Sequence, residues 1–392
     1  MRVAGFRFAG IHCGIKKSGK PDLALLVADG PVACAGVYTT NQIVAAPVVQ
    51  SKARLAGRHT AKVVVINSGN ANACTGPQGD SDARQMAAWA AMVAGCQPMD
   101  VQVCSTGVIG APLPMSTLES GIPAAYEALS DDGLSDFAEA ICTTDTFAKL
   151  RQGSAEIDGR RVTVAGVSKG AGMIHPNMAT MLGVVVTDAS IAPAELDPLW
   201  RRVCHRTFNA ITIDGDTSTN DTALLLASGR AGGAHLKDES LDQFETLLHE
   251  VAGELAKDII RDAEGGTKVV ELTVSGAATL ADAAKAADAV SLSPLVKTAM
   301  HGEDPNWGRI IAAAGRSGAP LDPDRLTLSM DDVVLYQDGV WQGVDAEASA
   351  HAVMCKPEYS VRLDLGLGSA SRTVFTCDFS ADYVRINADY RS

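Results

Sequence analysis

Lys169-Gly170-Ala171-Gly172-Met173-Ile174-His175-Pro176-Asn177-Met178-Ala179-Thr180-Met181-Leu182 is the stretch on which the reading of this chain turns. An apolar, β-branched run at 161–167 leads into it and a second at 181–186 leads out. Both read as strands, with a glycine-rich turn between them. Glycine lets backbone approach backbone closely, and small Ala179 beside Thr180 leaves room for attack on the peptide bond that joins them. A threonine hydroxyl that attacks the preceding carbonyl moves the acyl group from nitrogen to oxygen, and water then opens the ester. Thr180 would become a new N-terminus whose α-amine, with a pKa of ~7.7–8.0, serves as base for its own hydroxyl. Taken alone, Ala-Thr reads as a threonine buried in a strand; the whole string is what favours the nucleophile.

Outward from this point the pattern is mixed α/β. Strands are expected at 23–28, 32–38 and 61–66, and later at 269–274, 327–335, 360–365, 373–378 and 383–386. Helices are expected at 81–94, 134–140, 199–210, 280–289 and 305–314. The clearest helix spans 241–262, where Leu241, Phe244, Leu248, Val251, Leu255 and Ile259 recur every three or four residues. Glu264-Gly265-Gly266 closes it, with glycine as the left-handed cap. Periodicity does not decide whether the sheets are parallel or stacked.

The chain has 392 residues, so two or three domains of ~150 residues are expected. A net charge of −13 argues against nucleic acid or an anionic membrane as the partner. It would attract a cationic substrate and oblige any anion site to carry its own donors. The nine cysteines form no CxxC pair and no apolar leader is evident, which points to reduced thiols and a cytoplasmic protein. No run approaches the ~20 apolar residues of a membrane span.

Further stretches carry a resemblance. They are Gly36-Val37-Tyr38-Thr39-Thr40-Asn41, the run 67–76 (NSGNANACTG), Cys104-Ser105-Thr106-Gly107-Val108-Ile109-Gly110, Thr143-Thr144-Asp145-Thr146 and the run 214–221 (DGDTSTND). Ser293-Pro294-Leu295-Val296-Lys297-Thr298, Asp304-Pro305-Asn306-Trp307-Gly308-Arg309 and the terminal run 386–392 (INADYRS) complete them. Together with the stretch around Thr180, this ordered set resembles the ornithine acetyltransferase family, also called glutamate N-acetyltransferase, of arginine biosynthesis.

The resemblance implies an α/β fold in which helix layers enclose two packed sheets, with a smaller second domain. It implies a self-cleaved chain: an α half at 1–179 with the oxyanion loop and a β half at 180–392 that begins with the nucleophile. The halves would assemble as a heterotetramer of two α and two β chains. Thr180 would take acetyl from N-acetylornithine, release ornithine, and pass the acetyl to glutamate to give N-acetylglutamate. No metal and no cofactor are implied. Acetyl-CoA is a co-substrate for some members, and the sequence leaves its use here open.

Residue by residue, the Ala179–Thr180 bond is the cleavage site and Thr180 the nucleophile. Thr106 and Gly107 match the oxyanion hole, where a glycine N–H and a hydroxyl suit a developing negative charge. Lys169 offers a cation for a substrate carboxylate, or is a solvated surface lysine. Thr143 is a polar contact or a cap. Glu264 sits at a helix C-terminus, where the helix dipole disfavours a carboxylate; binding a substrate ammonium would explain it. Asn387 and Ser392 are assigned to substrate by the resemblance alone.

Other signals are set aside. Residues 14–20 nearly spell a P-loop, but Pro21 stands where a hydroxyl must reach the metal and a strand follows. The 214–221 run lacks a calcium loop's twelfth-position Glu, and it reads as a hydroxyl-rich loop to which the sequence gives no role. His175 reads as structural, and Cys104 is a weak nucleophile candidate. Three alternatives remain: an N-terminal-nucleophile aminopeptidase or amidohydrolase, an acetyltransferase of a secondary pathway, and an uncleaved binding protein.

Overall fold

The computed structural model describes residues 2–175 and 181–389. Ala179, Thr180 and Ser392 lie outside the described residues. Two compact units are present. One comprises the described residues up to Asn209 with Asp216–Ile259; the other comprises Ala210–Gly215 and the described chain from Ile260 on. These units do not follow the 179/180 division, because strands on either side of that division share one sheet.

In the first unit the strands Phe6–Ile11, Leu23–Tyr38, Thr60–Asn70, Val101–Val108, Lys149–Ile157, Arg160–Lys169, Leu182–Thr187 and Thr222–Ala227 form an eight-stranded sheet. Leu23–Tyr38 is a single 16-residue strand where the sequence suggests two. Asp29-Gly30-Pro31 reads as a turn, yet the backbone continues through it with a register shift between Val27 and Val32. Its first half pairs with Phe6–Ile11 and Thr60–Asn70, and its second half pairs with Thr222–Ala227.

Alternation along the strands sorts the side chains into layers. Ala24, Leu26, Val64 and Ile66 share one buried cluster with Leu182, Val184, Val186, Leu224 and Leu226. Helix Leu134–Ile141 adds Leu134, Phe137, Ala138, Ala140 and Ile141 to the same cluster, so this core is built from both halves of one hydrogen-bonded sheet together with a helix. On the opposite face Leu25, Val27, Val63 and Val65 pack on Met86, Ala87 and Ala90 of helix Gly76–Ala94 and on Leu118 and Ile122 of helix Met115–Glu127. Helix Asp238–Arg261 lies against the other half of the sheet. It comes so close that a Cβ at Gly153 would meet Leu247 at 2.9 Å, and one at Gly166 would meet Leu255 at 2.8 Å.

The second unit holds a seven-stranded sheet in the order Val340–Trp341, Val333–Gln337, Thr327–Met330, Glu358–Asp364, Val269–Ala277, Ala370–Cys377 and Ile211–Thr212. Helices Leu280–Ser291, Trp307–Gly315 and Val344–Met354 cover its core. The run expected as one strand at 327–335 is a hairpin turning at Asp331, which has φ 46°.

Two expected elements are displaced or replaced. Pro193 starts a helix at Pro193–Arg206, ahead of the expected 199–210. The strand expected at 383–386 is instead the helix Ala381–Asp389. The Ser380 hydroxyl accepts the N–H groups of Asp382 at 3.1 Å and Tyr383 at 3.3 Å and so caps it. Tyr383, Val384 and Ile386 favour strands by type, but this cap overrides them.

Candidate active site

Two candidates far apart in sequence meet in the first unit. Lys169 ends the Arg160–Lys169 strand and Thr106 lies in Val101–Val108. Lys169 Nζ donates to Thr106 Oγ1 at 3.0 Å. Both residues are buried, Lys169 at 3% exposure and Thr106 at 5%, so the solvated-lysine reading is discarded. A hydroxyl that accepts from an ammonium keeps its own proton to donate and is polarised into a stronger donor. That is the property an oxyanion contact requires.

Gly107 follows with φ +132°, and a Cβ there would lie 2.3 Å from the Gly69 carbonyl carbon. Only glycine fits this approach. The 67–76 run holds the partner strand in place. Ser105 Oγ donates to Asn67 Oδ1 at 2.6 Å, and Asn70 Nδ2 donates to the carbonyls of Ala111 and Pro112 at 3.1 and 3.0 Å.

Beneath Lys169 lies a buried charge cluster centred on Asp145, whose role the sequence did not reveal. Asp145 Oδ1 accepts Lys149 Nζ at 2.6 Å and the Gly170 N–H at 2.7 Å. Its Oδ2 accepts the Thr143 N–H at 2.9 Å, which places Thr143 at the edge of this cluster. Burial opposes the Asp145 charge, but Lys169, Lys149 and these hydrogen bonds prevail and hold its carboxyl at about 2. Burial lowers the Lys169 pKa against the pull of Asp145.

The 214–221 run, without an assigned role in the sequence, contributes braces. Asn220 Nδ2 donates to the carbonyls of Ala71 at 2.6 Å and Ser105 at 2.9 Å, which ties it to the segment before Thr106. Asp221 is fully buried, and burial pushes its carboxyl well above the usual carboxylate range. Cys104 is no nucleophile: burial pushes its thiol up to about 12. The near P-loop is a nest of N–H groups already filled by the protein's own Asp22, which accepts from Cys13, Gly14, Ile15 and Lys16 at 2.7, 3.2, 2.7 and 2.9 Å.

Two more candidates meet in the second unit. Asn387 Nδ2 donates to Glu264 Oε2 at 3.0 Å. The long helix stops at Arg261, and Glu264 lies in the turn beyond it. Gly265 has φ +70°, and a Cβ there would lie 2.4 Å from the Tyr383 nitrogen, so glycine lets the tail helix dock. Ser380 Oγ also donates to the Gly265 carbonyl, at 2.6 Å.

Among the described residues one trio has metal-donor spacing: Glu303, His351 and Cys355, with ligand atoms within 4.8 Å of one another. These groups are engaged with each other and with Lys268, whose Nζ holds Glu303 Oε1 at 2.6 Å. We read them as a surface latch, and no metal is assigned.

The profile of the ArgJ family matches residues 7–392. The chain is 52% identical over 394 residues to the arginine biosynthesis bifunctional protein ArgJ of Geobacter sulfurreducens, covering all of both chains. The chain belongs to the ArgJ family. Its counterpart from Symbiobacterium thermophilum is 50% identical, over 99% of this chain and 97% of that one. Among solved structures, arginine biosynthesis bifunctional protein ArgJ from Bacillus halodurans is similar at TM-score 0.51 and 36% identity, over 53% of this chain and 98% of that chain. No helix among the described residues is long and apolar enough to cross a membrane.

Proposed function

We propose that this protein is a self-processing acetyltransferase of arginine biosynthesis. Thr180 accepts acetyl from N-acetylornithine, releases ornithine, and delivers the acetyl to glutamate. Thr106 and Gly107 receive the oxyanion, and Lys169 supplies the positive charge beside them. Thr143, Glu264, Asn387 and Ser392 contact the amino-acid substrates. The relatives' shared description as bifunctional favours acetyl-CoA as a second donor.

The observation that carries this reading is the buried Lys169–Thr106 hydrogen bond at 3.0 Å. It turns an ordinary threonine into a polarised donor in the segment that the family motif marks. A cut at 179/180 has separate support. The solved Bacillus chain, matched over 98% of itself, takes up only 53% of this one, as a chain on one side of such a cut would. Leu182–Thr187 pairs with Arg160–Lys169, which supports the halves 1–179 and 180–392 staying in one sheet after the cut. In this reading two copies of each half form the assembly. Nine free cysteines fit the cytoplasm.

Intact mass and a denaturing gel test the cut. Wild type gives two fragments with Thr180 as the new N-terminus, and Thr180→Ala gives one inactive chain. Incubation with N-acetylornithine, with and without glutamate, then tests the transfer. Deacetylation that ignores glutamate would point to the amidohydrolase alternative, and an intact, inert wild type would leave the binding-protein alternative.

A further inference from the structure

Asp221 immediately precedes the Thr222–Ala227 strand, fully buried. Its Oδ1 accepts the Met181 N–H at 3.0 Å. The Thr222 N–H donates to the Met181 carbonyl at 3.1 Å. Two successive residues therefore clamp Met181 at both ends of its backbone. The nitrogen held this way is one end of the amide that joins residue 180 to Met181. Amides are planar, so fixing this N–H fixes the line of the carbonyl across the bond.

The second oxygen, Asp221 Oδ2, is buried and no donor among the described residues is aimed at it; the Thr39 hydroxyl lies near the carboxyl but spends its proton on the Ser218 carbonyl at 2.6 Å. Buried acceptors are nearly always met, and one that is not calls for an explanation. Standard bond lengths keep the α-nitrogen of residue 180 within ~3.7 Å of the Met181 nitrogen. That nitrogen is an amide in the intact chain and becomes an ammonium once the Ala179–Thr180 bond is cut. Cleavage thus creates, one residue from the Met181 N–H that Asp221 already holds, a cationic donor for this oxygen.

We propose that Asp221 is the positioning residue of self-processing: it anchors the Thr180–Met181 amide before the cut and receives the α-ammonium of residue 180 on its second oxygen afterwards. This rests on Thr180 as the nucleophile. In the cut, Thr180 Oγ bonds to the Ala179 carbonyl carbon. The C–N bond breaks with its electron pair on nitrogen, which takes up the hydroxyl proton. Water then splits the ester, which frees the Ala179 carboxylate and restores the hydroxyl, and the released proton joins the amine.

The charged group facing Asp221 among the described residues is Lys169, itself flanked by Asp145 and Lys149. A carboxylate beside the new ammonium raises its pKa, whereas Lys169 lowers it. Burial disfavours the Asp221 charge in the uncut chain, and the new ammonium reverses that, so the charge that Asp221→Asn removes is the one the cut creates. Without it Lys169 is unopposed and the amine becomes a free base at lower pH.

The test compares wild type, Asp221→Asn and Asp221→Glu, each followed by intact mass from synthesis onward and then by transfer rate against pH. Asparagine keeps an acceptor for the Met181 N–H but drops the charge. We expect Asp221→Asn to hold its melting temperature yet cleave about tenfold more slowly or worse. Its kcat should fall with KM unchanged, and the acid limb of its pH profile should move down by about one pH unit. Wild-type cleavage with an unmoved limb overturns the proposal. Should Asp221→Asn fail to fold, Asp221→Glu decides: slowed but complete cleavage supports the role, and wild-type speed overturns it. Wild type that stays in one piece overturns the Thr180 reading itself. That result differs from a cut wild type beside an indifferent Asp221→Asn.

Discussion

Asparagine at position 145 would remove the charge between two buried lysines while keeping the shape of the side chain. Asp145 and Lys149 are in contact at 2.6 Å, with side chains of zero exposure on both partners. Removing one member of a buried pair costs about 3–5 kcal/mol, because the other is left as an uncompensated charge. A second route gives a smaller figure. The Asp145 carboxyl falls from its ordinary 3.8 to about 2, which at 1.36 kcal/mol per pH unit is about 2 kcal/mol. The second route counts only the carboxylate's own protonation; the first includes the lysine left behind. We therefore expect Asp145→Asn to lose about 3 kcal/mol in denaturant unfolding at neutral pH. The folded carboxyl titrates below its unfolded value. Its stabilisation is therefore complete above 3.8, is lost as pH falls through about 2, and is absent from the variant throughout. Adding Lys149→Met should recover part of the loss, with a coupling of about 1 kcal/mol or more. A loss under about 0.5 kcal/mol with no coupling would refute the view that this cluster is a stabilising hub.

Lys169→Met should lower kcat by about 10²–10³-fold, as loss of an oxyanion-hole donor does, while the chain still melts cooperatively; steady-state kinetics beside calorimetry checks this. Gly107→Ala should abolish transfer, because its Cβ would sit 2.3 Å from the Gly69 carbonyl carbon, and soluble protein with full activity would contradict the tight approach. Deleting residues 390–392 should spare self-cleavage but depress transfer, as read by gel and assay, and unchanged turnover would remove the tail from the site.

Periodicity located the long amphipathic helix and the strand pair around 161–167 and 181–186 because each has one apolar stripe or alternation. It missed Met115–Glu127, where Pro123 interrupts the pattern, and Val344–Met354, where Val344 is exposed and the buried positions are few. It misread the tail, where a single Ser380 hydroxyl outweighs three strand-forming side chains. At the site, Lys169 and Thr106 were legible as a motif cation and a motif hydroxyl. Their mutual hydrogen bond was not, since 63 residues separate them. Asp145 and Asp221 lay inside family motifs without a role. A carboxylate's importance here comes from burial and from partners on other strands, and neither leaves a local trace in sequence.

Lys169 and Leu182 stand directly opposite each other in antiparallel register, so the proposed cut falls in the link between two adjoining strands. Severing that link leaves the ladder between Arg160–Lys169 and Leu182–Thr187 in place, yet it removes the tether that keeps the partners at high effective concentration. From then on, complete unfolding separates two molecules, and their reunion is second order. The mature enzyme's apparent melting point should climb with protein concentration, whereas that of the uncut Thr180→Ala chain should climb less steeply. Maturation would in this way make folding a one-time event, and the working lifetime of the enzyme would depend on how slowly its strands part.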